Sequence, residues 1–256
     1  MKAIFENSKK PLLSIFTTAG FPHKDDLNRQ LKLMEEMQVD FVEIGIPFSD
    51  PLADGPTIQE TSTVALKNGM NLSLFFLQLE KRKTKHPVVL MGYFNPILLY
   101  GLNRFLENCL KTGISGLIIP DLEIDLFEKR YSSHFEEFDI PVCFLVTPKT
   151  SDERINRAAR LSARGFVYLV SSNSITGGEI SEDSDLSRRY QKIKALCEPT
   201  PVMIGFGITD RASFERSTRN LDGGIIGSAY LKALKDGAEE EFLEGLNTGG
   251  SKYAAK

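Results

Sequence analysis

Eight short apolar runs punctuate the chain, and between them the apolar residues recur every three or four positions. The first run, 12–16, precedes a stretch that places Leu27, Leu31, Met34 and Met37 on one helical face. The second run, 41–46, is followed by helical material through about residue 84, and the third, 87–91, is backed by Phe105, Leu106, Cys109 and Leu110. The fourth, 116–119, leads to a helix presenting Phe127, Tyr131 and Phe138. After the fifth, 142–146, Ser151 is an N-cap candidate for a helix carrying Ile155 and Ala158. The sixth, 166–170, is paired with Tyr190, Ile193 and Leu196. The seventh, 202–204, has Thr209 as the expected cap of the next helix, and the eighth, 224–226, runs into 228–231.

Strands that are apolar throughout, alternating with amphipathic helices, imply a parallel sheet covered on its outer face. Eight such units in a chain of 256 residues fit closure into a right-handed (β/α)8 barrel. The competing architecture is an open doubly wound sheet; it usually has five or six strands and often carries GxGxxG after the first, which is absent here. With no linker or low-complexity tract, the expectation is an α/β chain with a single-domain TIM barrel over 1–247. The small, polar tail at 248–256 is expected to fray.

Bulk properties narrow the partners. Hydrophobic residues at 41% and charged residues at 25% are ordinary for a globular chain, and a net charge of −3 argues against nucleic acid or an anionic membrane surface. The basic run 81–86 reads as the cationic last turn of a helix. Three cysteines without CxxC fit reduced thiols packed as small hydrophobes, and three scattered histidines offer no metal motif. No 18-residue apolar stretch or signal-type leader is present, so the expected compartment is the cytoplasm.

The 41–57 segment, FVEIGIPFSDPLADGPT, breaks the apolar pattern with Glu43. Strand alternation sends Val42, Ile44 and Ile46 toward a covering helix and Glu43 to the opposite, inner side. A carboxylate there loses hydration, which raises its pKa toward the range useful for proton transfer. A strand-end glutamate paired with Lys or Arg is the plainer alternative. The loop that follows, stiffened by Pro47, Pro51 and Gly55, delivers Asp54 toward the same pocket.

A second signal lies after strands seven and eight. The sequences GFGIT (205–209) and GSAY (227–230) put glycines just before helix starts. Close backbone approach and free helix N-terminal N–H groups suit a phosphate, a common ligand of these two loops in barrels. Simple turns are the alternative. Residues 228–235 have the length of the short additional helix, and 236–237 end it. A Gly-rich turn after strand six, Thr176-Gly177-Gly178, suggests a flap over the pocket or else a surface excursion without a role. Phe16, Phe206 and Tyr168 suit a substrate with an aromatic body. Lys149 reads as a solvated strand-end lysine rather than a Schiff-base former.

Taken in order, VEIGIPFSDPLADGPTIQ, LMGYFNP, GLIIPDL, YLVSSNSITGG, GFGI and GSA resemble the tryptophan synthase alpha subunits over essentially the whole chain. The resemblance implies a lyase that cleaves indole-3-glycerol phosphate to indole and glyceraldehyde 3-phosphate. It implies no cofactor in this chain, and a beta-subunit partner in an α2β2 assembly that carries pyridoxal phosphate and receives the indole. Glu43 matches the family's catalytic acid–base and Asp54 its catalytic aspartate. Thr176 matches the flap threonine, Tyr168 the sixth-strand tyrosine and Phe16 an aromatic wall. Gly177, Gly207, Gly227 and Ser228 match phosphate-binding positions, and Asp50 a residue of communication with the beta subunit. Two departures, Ser174 in the flap and Glu123 after PDL, fall in loops. Two other functional classes remain: a phosphate-binding TIM-barrel isomerase, which would place a different catalytic pair on other strands, and a non-catalytic subunit that binds and regulates a partner, which would lack one of the two carboxylates.

Overall fold

A computed structural model describes residues 1–8, 10–171 and 184–248 of the chain. The eight apolar runs become eight parallel strands: β1 (Leu12–Thr18), β2 (Phe41–Gly45), β3 (Val88–Met91), β4 (Gly116–Ile118), β5 (Leu145–Val146), β6 (Val167–Val170), β7 (Val202–Gly205) and β8 (Gly223–Ile226). They pair in the order β4-β3-β2-β1-β8-β7-β6-β5. The ring closes where the Leu117 N–H donates to the Pro141 carbonyl (2.9 Å) and the Cys143 N–H to the Leu117 carbonyl (2.8 Å). Flanking helices on the outside complete a (β/α)8 TIM barrel.

The fifth strand is shorter than the run 142–146 predicts. The Phe144 N–H, in the middle of that run, donates to the Ser162 hydroxyl at 2.9 Å and so leaves the ladder. The basic run 81–86 is also not a helix turn. The helix Leu72–Glu80 stops with Lys81 as its C-cap, and the Arg82 guanidinium donates to the carbonyls of His86 and Thr112, both at 3.0 Å. Backbone carbonyls at the entry to β3 and at a helix end compete better for this cation than bulk water does.

Parallel register decides what faces inward. Phe16 is level with Glu43, Glu43 with Val89, and Tyr168 with Met203, so these residues share the inner face. Below them the barrel is floored by aromatic rings: Phe41 lies 5.8 Å and Phe5, from the helix Lys2–Glu6, lies 6.1 Å from Phe166 between centroids. The outer face packs as the periodicity predicts. Leu27, Leu31 and Met34 are buried under their helix with Met37 at its half-buried edge, although Leu110 turns to solvent. Ser151 caps its helix, its hydroxyl accepting the Arg154 N–H at 3.3 Å. Cys109, Cys143 and Cys197 are free and buried. Among the described residues, no helix is long and apolar enough to cross a membrane.

Candidate active site

Glu43 sits in the middle of β2 with a relative exposure of 1%, and neither carboxyl oxygen has a hydrogen-bond partner among the described residues. Burial first, and the nearby charge of Asp54 second, push its pKa up to about 8. At neutral pH it therefore holds a proton, which makes it a carboxylic acid able to donate.

Asp54 comes from the loop after β2. Its N–H donates to the Pro51 carbonyl (3.1 Å), closing a tight turn, and its own carbonyl accepts from the Gln59 side chain (2.8 Å). Gly55 then serves as N-cap and Pro56 opens the helix Pro56–Lys67, a position where the missing proline N–H costs nothing. Burial raises the Asp54 pKa to about 6, opposed by a hydrogen bond from the Tyr93 hydroxyl. One acid of the pair is thus protonated and the other ionised at neutral pH.

Glu43 lines a cavity of about 390 Å³ at the C-terminal mouth of the barrel. Asp54 is not part of that lining, but it lies close enough for its charge to act on Glu43. Phe16, Ile58, Met91 and Ile225 form the apolar wall of the cavity, with Glu43 and Tyr168 facing in. Burial, and after it the neighbouring Glu43 and Asp54, hold the Tyr168 phenol protonated. Tyr168 and Phe206 meet edge to face at 6.3 Å. The first glycine of GFG is explained by this tyrosine: a Cβ on Gly205 would lie 1.9 Å from the Tyr168 hydroxyl. The second, Gly207, has φ +75°, a left-handed conformation that a side chain would strain.

Gly207, Gly227 and Ser228 line the other end of the cavity. The two helix N-termini there differ. Asp210, not Thr209, caps the helix Arg211–Thr218, accepting the Ser213 N–H at 2.7 Å while the Ser213 hydroxyl accepts the Asp210 N–H at 3.0 Å; its aspartate reaches N3 more directly than the preceding threonine. Gly227 has no side chain to cap the helix Ser228–Asp236, so the first N–H groups of that helix have no side-chain acceptor where Gly227, Ser228 and Ala229 line the cavity. An oxyanion suits that end. Lys232, one turn after Ser228, adds a cation to the lining.

Of the remaining sequence-derived positions, Asp50 is exposed and accepts the Ser49 hydroxyl at 2.5 Å, beside Leu52, which is 95% exposed. Thr176 and Gly177, with Ser174, lie outside the described residues. Glu123 pairs with Arg154 at 2.6 Å on the surface, and Lys149 is exposed. Sequence reasoning missed Tyr93, Met91, Ile58 and Lys232. Lys232 had a usable signal, since i and i+4 share a helix face and Ser228 was already in view. Met91 and Ile58 had none, because their place depends on inter-strand register and helix packing. Among the described residues, no group of three or more His, Cys, Asp or Glu is placed to hold a metal ion.

The sequence model for the tryptophan synthase alpha chain family matches residues 2–248. The chain is 47% identical to the tryptophan synthase alpha chain of Christiangramia forsetii over 227 residues, 88% of each protein. It is 45% identical to that of Flavobacterium psychrophilum over 229 residues, covering 89% of this chain and 90% of the relative. Among solved structures, a Mycobacterium tuberculosis tryptophan synthase superposes with a TM-score of 0.86 at 30% identity, 96% of each chain being covered. The alpha subunit from Campylobacter jejuni gives 0.84 at 28% identity, with 94% of this chain and 97% of that one covered. The chain therefore belongs to the tryptophan synthase alpha chain family, lyases that cleave indole-3-glycerol phosphate in tryptophan biosynthesis.

Proposed function

We propose that Glu43 and Asp54 divide the chemistry of this cleavage between a proton donor and a fixed anion. Protonated Glu43 gives its proton to the indole ring carbon that bears the glycerol chain. The ring becomes a cationic indolenine, whose N–H is accepted and whose charge is offset by ionised Asp54. Glu43, now a carboxylate, takes the proton of the adjacent chain hydroxyl. The O–H electrons form the aldehyde carbonyl, the C–C bond breaks, and its pair returns to the ring as neutral indole. Glyceraldehyde 3-phosphate leaves with Glu43 protonated again, so no external oxidant or base is consumed.

Phe16 and Tyr168 flank the indole, while Gly207, Gly227 and Ser228 hold the phosphate through backbone N–H groups and the serine hydroxyl. For Thr176 and Gly177, which lie outside the described residues, the flap and phosphate-binding roles implied by the family resemblance are retained. A beta subunit carrying pyridoxal phosphate, in an α2β2 assembly in the cytoplasm, receives the indole, and Asp50 relays its state. This chain itself uses no cofactor. The partner reading is supported by the likeness to several solved tryptophan synthase structures and by two exposed leucines, Leu52 in the loop after β2 and Leu99 in the helix Phe94–Tyr100.

The observation that carries the reading is a pair of neighbouring carboxyl groups, at about 8 and about 6, the first of them lining the apolar cavity. The test is colorimetric indole release from indole-3-glycerol phosphate by the parent chain, Glu43→Gln and Asp54→Asn. Near-parental turnover in either variant would refute the assigned roles.

A further inference from the structure

Tyr93 is held on every side. It follows β3, occupies the N-cap position of the helix Phe94–Tyr100, is 6% exposed, and its ring lies 5.2 Å from that of Phe48. The next residue is fixed too, since the Asp121 carboxylate accepts the Phe94 N–H at 2.8 Å. The catalytic loop opposite has weaker moorings. Among the described residues, its hydrogen bonds are otherwise local, within 49–59, apart from the Ala53 N–H, which donates to the Tyr93 hydroxyl at 2.8 Å. The same hydroxyl lies beside the Asp54 carboxylate, close enough to hold its pKa down, and Asp54 Oδ1 is buried with no hydrogen-bond partner among the described residues.

We propose that Tyr93 is the positioning residue of the acid pair, one phenol hydroxyl both fixing the turn that carries Asp54 and orienting its carboxylate toward the cavity. Tyr93 does not line that cavity and so acts through Asp54 rather than on substrate. A phenol is suited to this task because it accepts from one neighbour while donating to the next, and phenylalanine does neither. This inference rests on the role of Asp54 proposed above. It adds that the ionisation and aim of Asp54 are set from β3, outside the loop itself.

The titratable groups near Asp54 are Glu43 from β2, Tyr93 from the turn after β3 and Tyr168 from β6, while Asp121 lies near Tyr93. Removing the hydroxyl withdraws the donor that favours the Asp54 anion, while the burial that chiefly sets the Glu43 shift is untouched. The acid limb of the pH profile should therefore move and the alkaline limb stay.

The experiment compares the full chain, Tyr93→Phe, a variant with 3-fluorotyrosine at position 93, and Asp54→Asn. Each is assayed for indole release across pH, with thermal unfolding alongside. Tyr93→Phe should raise the acid limb of kcat/KM by roughly one pH unit and lower kcat at pH 7 by about 5- to 50-fold, with KM within about threefold. The fluorinated phenol, a stronger donor, should move the acid limb down, and it keeps the whole side chain should the Phe variant fold poorly. A passive packing role moves neither limb. Coincident acid limbs in the parent and the fluorinated variant, with Asp54→Asn inactive, would overturn the inference alone. Parental turnover in Asp54→Asn would instead overturn the role of Asp54 beneath it.

Discussion

The floor and the mouth of this barrel handle carboxylates in opposite ways. At the floor, Asp40 just before β2 accepts the Leu13 N–H at 2.8 Å and lies 3.7 Å from the Lys10 ammonium. Asp222, just before β8, accepts the Val202 N–H at 2.6 Å and pairs with Lys194 at 2.7 Å. Three positions beyond Asp40, Glu43 is more deeply buried and has no partner among the described residues. A partnered acid stabilises a fold, whereas an unpartnered one costs stability that only a reaction repays. The comparison teaches that the same strand can carry an acid as structure at one end and as reagent at the other.

The sharpest way to break this contrast is to neutralise one acid from each end. Glu43→Gln should lower turnover by roughly 10²–10⁴-fold while making the fold more stable at alkaline pH. The sign follows from its raised pKa. Between the ordinary value of 4.5 and about 8, the unfolded chain has released a proton that the folded chain keeps, so parental stability falls as pH rises through that window. The advantage of the variant in thermal melts should be absent below pH 4 and fully developed above pH 8. A variant no more stable than the parent at pH 9 would mean that Glu43 is solvated or paired.

The pH profile of the parent sharpens the same point. Ionised Asp54 and protonated Glu43 are needed together, so kcat/KM should peak between about 6 and about 8. It should fall tenfold for each pH unit beyond either limb. A profile flat from pH 5 to pH 9 would remove the division of roles. At the floor, Asp222→Asn should cost about 1–3 kcal/mol in urea unfolding and leave kcat within about twofold. A collapse of turnover without loss of stability would erase the distinction between the two ends. The smallest effect belongs to the cation at the phosphate end: Lys232→Gln should raise KM about three- to tenfold, less at high salt, with kcat unchanged.

Much of this was readable in the chain. Period-two alternation was enough to turn Glu43 inward, and the eight apolar runs located all eight strands. The places where reading failed share a cause: a side chain reaching across the fold to claim a backbone group. Ser162 takes the N–H that would have lengthened β5, and Arg82 takes two carbonyls, so its run is a latch between elements. Asp210 and Thr209 are both acceptable caps on composition, and only the local trajectory selects the aspartate. At the site, Gly205 looks like half of a phosphate signature, yet the Tyr168 ring from the neighbouring strand demands it. Tyr93 stood in the MGYFNP segment all along, but its value depends on a loop forty residues earlier in the chain.

The Phe5, Phe41 and Phe166 rings beneath the cavity have a consequence for its chemistry. Phe41 and Phe166 each stand two residues before Glu43 and Tyr168 on the same inward face, so the rings insulate the acid from water entering below. The proton affinity of the mouth is in this sense set by the seal at the opposite end. A leak there, such as Phe5→Ser, would bring Glu43 back toward the acidity of a free carboxyl without touching any residue that meets substrate.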